Sequence, residues 1–156
     1  MKTTLIILLS LVVAGIVFFF ILGIISGSGT AAGLANGRLS RCPDKPNCVC
    51  SEYAADSKHY IEPISITSDA FDPLPRLKSI IGKMGGTVQT EQDSYLAVTF
   101  ISAVFRFVDD LEIRVDRDQR QIHIRSASRV GYSDAGVNKQ RVRELIRLYG
   151  DGLSEK

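Results

Sequence analysis

Apolar and polar residues alternate in two short runs of the chain, 111–115 and 121–125. Alternation with a period of two is typical of a strand that buries one face. The polar stretch 117–120 between the runs is short enough for a hairpin turn, with Asp118 and Gln119 as its loop. A one-residue slip would place apolar side chains opposite charged ones, so the pattern predicts one register. The predicted pairs are Val115–Ile122, Ile113–Ile124, Arg114–His123 and Glu112–Arg125.

Helical periodicity occurs on both sides of this hairpin. Asp72-Pro73 is a typical helix start, and the apolar residues that follow it recur at spacings of three and four until Gly85-Gly86. A second helix is predicted from Asn138, which can cap it, to Gly150, which ends it. Each helix has one apolar stripe, formed by Leu74, Leu77, Ile80, Ile81 and Met84 in the first and by Val142, Leu145, Ile146 and Tyr149 in the second.

The remaining strand patterns complete a sheet. A short strand is predicted at 61–66, weakened by Pro63, and a further hairpin joins 87–91 to 95–101. Two helices with one stripe each are buried most simply on the same side of a sheet. We therefore expect a two-layer α+β domain, with an antiparallel sheet of four to five strands and two helices on one face.

The N-terminal segment predicts a transmembrane helix at 4–25, because this run contains no charged residue and is long enough to cross about 30 Å of hydrocarbon. A cleavable signal sequence is the alternative, although its apolar region is usually only about 7–15 residues long. Lys2 precedes the run, whereas Arg38 and Arg41 lie well after it. The positive-inside rule therefore favours a single-pass protein of the inner membrane with its domain on the periplasmic or extracellular side.

Composition changes sharply after the apolar run. Residues 26–41 are rich in glycine, serine and alanine, which predicts a flexible tether before a domain at 42–156. The chain has 19 Lys and Arg against 17 Asp and Glu, a balance that argues against a nucleic-acid partner. No motif indicates a cofactor, because the glycines near the first helix end it and do not form a phosphate loop.

The three cysteines, Cys42, Cys48 and Cys50, lie within nine residues of each other. Two prolines between the first two thiols restrict the intervening loop, and a disulfide there would contribute about 2 kcal/mol. Metal binding is a second interpretation, with His59 as the evident fourth ligand, and free thiols are a third. His59 itself, in a polar loop, is expected to be exposed.

Serine and histidine chemistry is the first enzymatic possibility to consider. His123 could pair with Ser126 or Ser128, but residues an odd number apart on a strand face opposite sides. For the same reason we expect Asp109 and Asp110 to act on opposite faces, as partners in ion pairs.

A group of arginines and hydroxyl-bearing residues near the last strand indicates an anion site. Arg125 and Arg129 are an even number of residues apart, so a regular strand projects both to one face. Such guanidinium groups suit a carboxylate, a phosphate or a lipid head group. The alternative is that the arginines neutralise nearby carboxylates and stabilise the fold. The candidate ligand-binding residues are Arg106, Arg125, Ser126, Ser128, Arg129, Tyr132 and Asn138.

Three segments, CPDKPNCV, FRFVDDLEIRV and IHIRSASRVGYSDAGVNKQRV, resemble the domain of unknown function 1499 family of bacteria and plastids. The resemblance covers Cys42 to Tyr149 and implies no established activity. That family usually has Val-Ser-Ser after its second cysteine, where this chain has Val49-Cys50-Ser51. The resemblance therefore implies a Cys42–Cys48 disulfide, with Cys50 as the unpaired thiol.

These observations favour a membrane-anchored extracytoplasmic domain that binds an anionic group or assists envelope assembly without catalysis. Its partners would be the membrane, through the N-terminal helix, and a lipid, another anionic ligand or an envelope protein. The alternative is an envelope hydrolase or transferase that uses serine or histidine on the same face. A purely structural role beside another envelope protein is a third hypothesis.

Overall fold

The computed structural model describes residues 1–66 and 72–151. The predicted domain also includes 67–71 and 152–156, which lie outside the described residues. In chain order the described elements are α1 Lys2–Gly27, β1 Leu34–Ala35, β2 Arg38–Leu39, β3 Cys48–Cys50, β4 Ile64–Ser65, α2 Pro73–Lys83, β5 Thr87–Gln92, β6 Tyr95–Ile101, β7 Val108–Asp116, β8 Gln121–Ser128 and α3 Val137–Asp151.

The sheet is antiparallel and is built around the β7–β8 hairpin. Its order is β5–β6–β7–β8, and the outer edge of β8 pairs with both β3 and β4. All four residue pairs predicted for the β7–β8 hairpin are confirmed. The described sheet has six strands where four to five were expected, because Cys48–Cys50 pairs with β8 and its sequence carries no clear strand pattern.

Both amphipathic helices, α2 and α3, pack on one face of the sheet, which confirms the two-layer arrangement. Asp72 caps α2 as predicted, because its carboxylate accepts a hydrogen bond of 3.3 Å from the amide of Leu74. The core between the layers consists mainly of aliphatic side chains, among them Leu77, Ile81, Leu96, Val98, Leu111, Ile113, Ile122, Ile124, Val142 and Leu145.

The cap of α3 differs from the prediction. The helix begins at Val137, and Asp134 caps it by accepting hydrogen bonds from the amides of Gly136 at 3.0 Å and Asn138 at 2.7 Å. Asn138 therefore lies inside the helix, and its side chain is buried instead of capping. Asp and Asn are both good caps, and in this chain the cap is Asp134, four residues before Asn138.

Residues 29–42, which we call the covering segment, lie across the face of the sheet opposite the helices. Leu39 in this segment is fully buried and packs with Cys50, Tyr95 and Ala97. The amide of Gly33 donates a hydrogen bond of 2.7 Å to the carboxylate of Glu112. Glycine-rich composition predicted a tether with little to bury, but one leucine and a few backbone amides are enough to attach it to the sheet.

The end of α1 is also part of the domain. Ser26 is fully buried, and its hydroxyl accepts from the amide of Val108 at 2.8 Å and donates to the Val108 carbonyl at 3.1 Å. The β6–β7 loop, residues 102–107, packs along the last turns of the same helix. Its Phe105 ring lies 5.2 Å from the ring of Phe19 and 5.3 Å from that of Phe20.

Two glycines of α1 provide a test of this contact. A Cβ atom added at Gly23 would lie 1.8 Å from the Phe105 carbonyl oxygen, whereas one added at Gly15 has nothing within 4 Å. We predict that Gly23→Leu displaces the β6–β7 loop and destabilises the domain by roughly 1–3 kcal/mol, because the clash involves backbone.

Gly15→Leu is the matched control, since it adds the same side chain to the same apolar helix. The measurements are the Tm of the full chain in detergent and the rate of tryptic cleavage at Arg106 in the displaced loop. Equal Tm values and cleavage rates for the two variants would show that the loop does not depend on its contact with α1.

Candidate functional site

The predicted pairing of the cysteines is confirmed. Cys42 and Cys48 form a disulfide with their Cα atoms 5.7 Å apart, which uses two of the thiols that a zinc site would need. Cys50 is free and buried, and burial raises the pKa of its thiol. The disulfide loop is also held by His59, whose Nε2 lies 3.0 Å from the Lys45 carbonyl oxygen. The expectation that His59 is exposed was wrong, because only 5% of it is accessible.

The sheet separates the candidate ligand-binding residues into groups. Arg125 and Arg129 lie on the face under the covering segment and share that face, as their even spacing predicts. Ser126 and Asn138 lie on the helix face, where the serine hydroxyl donates to the asparagine at 2.6 Å. Ser128 joins this second group through Asn138, whereas Tyr132 and Arg106 are exposed elsewhere.

The side chain of Arg125 is buried and already has an anionic partner. Its Nη1 donates a hydrogen bond of 2.7 Å to Oε2 of Glu112, a side chain with no exposed surface. The other oxygen of Glu112 accepts from the Tyr95 hydroxyl at 2.8 Å and from Gly33. Burial and the charge of Glu112 together raise the pKa of Tyr95, which therefore remains a donor at neutral pH. These contacts make Arg125 a structural cation.

Arg129 has the same character. Its guanidinium forms a bidentate pair with Asp110, with contacts of 2.8 and 2.7 Å. Its Nη1 also donates to the carbonyl oxygens of Ser26, at 3.2 Å, and Gly29. Arg129 thus fixes the beginning of the covering segment to the sheet, and its charge is neutralised by Asp110.

A third ion-pair cluster on this face was not identified from the sequence. Glu52 has a fully buried side chain that accepts from Arg114 at 2.6 Å and from Arg38 at 2.8 Å. Although burial opposes its ionisation, these hydrogen bonds hold the pKa of Glu52 below its ordinary value. Glu52 follows β3 in a loop with no periodic pattern, and its arginine partners are 14 and 62 residues away, so no local signal in the sequence indicates it.

The polar groups on the helix face also satisfy one another. Asn138 Oδ1 accepts from Ser126 and, at 2.6 Å, from Arg141, which in turn pairs with Asp109 at 2.7 Å. Asn138 Nδ2 donates to the hydroxyl of Ser128 at 2.9 Å. Asp109 and Asp110 therefore form ion pairs on opposite faces, as predicted. Nothing in this cluster indicates a site for a ligand.

The contacts of His123 do not form a catalytic triad. As predicted, its side chain lies on the opposite face from Ser126 and Ser128. Its neighbour is Ser51, whose hydroxyl is 3.3 Å from Nδ1, and Glu52 Oε2 is 3.9 Å from that same nitrogen. A triad places the serine and the acid at different ring nitrogens, so this geometry orients the imidazole without activating the serine.

Arg106 differs from the other candidate arginines. It lies on the β6–β7 loop with a positive φ of 61° and an exposed side chain, and no carboxylate contacts it in the part of the chain that the structure describes. Beside it runs a groove of about 300 Å³ between the loop and α1. The groove is predominantly apolar and is lined by Phe20, Gly23, Ile24, Gly27, Ile101, Phe105, Arg106 and Val108.

A more polar cavity of about 340 Å³ adjoins this groove on the side of the covering segment. Gly27, Ile101 and Val108 line both spaces, so the two share a wall at the end of α1. The polar cavity is completed by Thr30, Gln89, Thr99, Asp110 and Arg129. Arg106 lines the apolar groove and not the polar cavity. An apolar groove that contains an arginine and shares a wall with a polar cavity has the mixed lining that suits an amphiphile.

Comparison with protein families identifies a match. The family model described as "Protein of unknown function (DUF1499)" matches residues 38–148, which run from β2 into α3. No curated protein matches the chain.

The buried Glu112–Arg125 pair leads to a stability prediction. Glu112→Gln leaves the Arg125 charge buried without its counterion, and we expect a loss of about 3–5 kcal/mol. The control is Glu144→Gln, because Glu144 pairs with Arg147 on the surface with 42% of its side chain exposed. The control should change stability by less than about 1 kcal/mol.

Thermal unfolding of the full chain in detergent, followed by circular dichroism, measures both effects. The Glu112 variant should lower the Tm by more than about 10 °C. A Tm for Glu112→Gln equal to that of Glu144→Gln would show that the buried pair does not stabilise the sheet.

Proposed function

Because the chain belongs to the domain of unknown function 1499 family, which carries no assigned activity, we propose its function from its own sequence and structure. It is a single-pass membrane protein whose domain lies on the extracytoplasmic side, in the periplasm or outside the cell. There the domain binds the anionic head group of a lipid without catalysis, and Arg106 is the residue that recognises the charge.

The joint between α1 and the domain supports a retained membrane anchor. The helix has 26 residues, and an 18-residue window within it has a mean hydropathy of 3.3, enough in length and composition to cross a membrane. Its last turns supply Ser26 and Gly23 to the packing of the domain. Cleavage of α1 as a signal sequence would remove these contacts. The Cys42–Cys48 disulfide supports an oxidising compartment for the domain.

The observation that carries the proposal is the free guanidinium of Arg106 at an apolar groove shared with α1. Arg125 and Arg129 are neutralised by buried carboxylates, which leaves Arg106 as the candidate cation without such a partner among the described residues. A phospholipid beside α1 would place an acyl chain in the groove and its phosphate near Arg106. A long arginine side chain can reach the head-group region from such a position.

The orientation of the chain is tested first. We predict that alkaline phosphatase fused after the C-terminus is active in intact bacteria, because Lys2 retains the amino end in the cytoplasm. A fluorescent reporter that matures only in the cytoplasm should be dark at the same position. An inactive phosphatase with a bright cytoplasmic reporter would place the domain inside the cell and reject this part of the proposal.

Recognition of charge is tested by titrating short-chain phosphatidylglycerol into the detergent-solubilised full chain, with phosphatidylcholine of the same length as the neutral comparison. One charge-assisted contact contributes roughly 1.5–3 kcal/mol, so Arg106→Gln should weaken the binding of phosphatidylglycerol at least about tenfold. The matched control is Arg117→Gln, because Arg117 lies in the β7–β8 turn at the other end of the sheet with 59% of its side chain exposed.

The expected result is that the wild-type chain and the Arg117 variant prefer phosphatidylglycerol, while the Arg106 variant binds both lipids equally weakly. All three proteins should have a similar Tm, because Arg106 contacts no described carboxylate and the pair of Arg117 with Asp72, at 3.6 Å, is exposed on both sides. Unchanged selectivity in Arg106→Gln, or no selectivity in the wild-type chain, would reject lipid recognition by this residue.

A further inference from the structure

The β6–β7 loop presents apolar side chains beside the last turns of α1, at a level where a bilayer would surround the helix. We propose that residues 102–107 are embedded in the leaflet on the domain side of the membrane, with Val104 at the tip of the loop. This inference rests on the proposed function only in that α1 spans the bilayer. It requires neither the recognition of charge by Arg106 nor a particular compartment for the domain.

The depth of the loop follows from its contacts with α1. Phe105 and Phe107 contact the ring of Phe19, with centroids 5.2 and 6.4 Å away. Phe19 is six residues before Ile25, the end of the uncharged run, and therefore about 9 Å inside it at 1.5 Å per residue. That run is about 33 Å long by the same rise, against about 30 Å of hydrocarbon. The aromatic contacts thus lie at the level of the acyl chains.

The backbone of the loop is suited to this environment because its ends satisfy each other. The amide of Ser102 donates to the Phe107 carbonyl oxygen at 2.9 Å, and the amide of Phe107 donates to the Ser102 hydroxyl at 2.9 Å. The Phe105 carbonyl oxygen lies against Gly23 of the helix. Unpaired backbone groups are costly in hydrocarbon, and this closure lowers that cost.

The outward surface of the loop identifies lipid as its partner. Val104 is 66% exposed, and Ile101 and Val137 at the same end of the domain are 48% and 45% exposed. Ile101 shares the lining of a groove with Phe20, and Val137 shares the lining of another with Phe19, so both adjoin the exposed apolar surface of α1. Apolar surface that continues the side of a membrane-spanning helix is covered by the same acyl chains. Arg106, the charged residue of the loop, extends toward the head groups.

The test measures the depth of a label at Val104. The full chain carrying Val104→Cys is labelled with a fluorophore sensitive to polarity and reconstituted into phosphatidylcholine vesicles with brominated acyl chains. The control is Asp118→Cys in the β7–β8 turn, at the other end of β7. The natural Cys50 is buried and is not expected to be labelled, and the wild-type chain without added cysteine measures any background labelling.

We expect the label at Val104 to emit at shorter wavelength, to be quenched by the bromine atoms and to be protected from aqueous iodide. The label at Asp118 should show the reverse. Equal exposure of the two labels to iodide, with the protein fully incorporated into the vesicles, would overturn the inference. The same result is expected if the loop is covered by another protein and not by lipid, because that protein is absent from these vesicles.

Failure of this inference is distinguishable from failure of the proposed function. The vesicles contain only neutral lipid, so insertion of Val104 is measured without any contribution from anion recognition. Loss of phosphatidylglycerol selectivity with an inserted loop would reject the function and retain the inference. Selective binding of phosphatidylglycerol, together with a Val104 label exposed to water, would retain the function and reject the inference.

Discussion

A carboxylate sealed from water, that of Glu112, holds three strands of the sheet and the segment above them together. It joins β7 to β8 through Arg125, β7 to β6 through the Tyr95 hydroxyl, and the sheet to the covering segment through the amide of Gly33. Each bond is short, and together they compensate the cost of removing a charge from water. A buried charge tolerates few alternative arrangements, so this residue favours one register and one position of the segment above it.

The two faces of the sheet are therefore stabilised by different interactions. The helix face buries aliphatic side chains from both layers, and its stability depends on area and close packing. The opposite face buries three arginine–carboxylate clusters, centred on Glu52, Asp110 and Glu112, beneath a segment that supplies mostly backbone. The division is possible because successive side chains of a strand point to opposite faces of the sheet, as Leu111 and Glu112 do.

Most of the fold could be predicted, because the alternation of the strands and the apolar stripes of the helices are visible in the sequence. These patterns predict the β7–β8 register, both helices and the ion pairs of Asp109 and Asp110. The candidate site was less so. Adjacent residues Arg125 and Ser126 were grouped by proximity in sequence, whereas the same parity places them on opposite faces. The role of the covering segment depends on long-range contacts such as Gly33–Glu112, for which local composition gives no signal. The cap of α3 was predicted at the wrong residue because Asp134 and Asn138 are both suitable caps and lie only four residues apart.

The joint between Ser26 and Val108 has a mechanical consequence. Because both backbone groups of Val108 are bonded to one serine at the end of α1, the helix and β7 meet without a flexible link. Transmembrane helices are tilted by about 20° on average, and a mismatch with the thickness of the bilayer changes that tilt. Strand β7 has nine residues and is about 30 Å long, so a change of tilt transmitted through this joint would displace the far end of the strand relative to the bilayer. In the proposed membrane setting, the position of the β7–β8 turn relative to the lipid would therefore depend on the thickness of the bilayer.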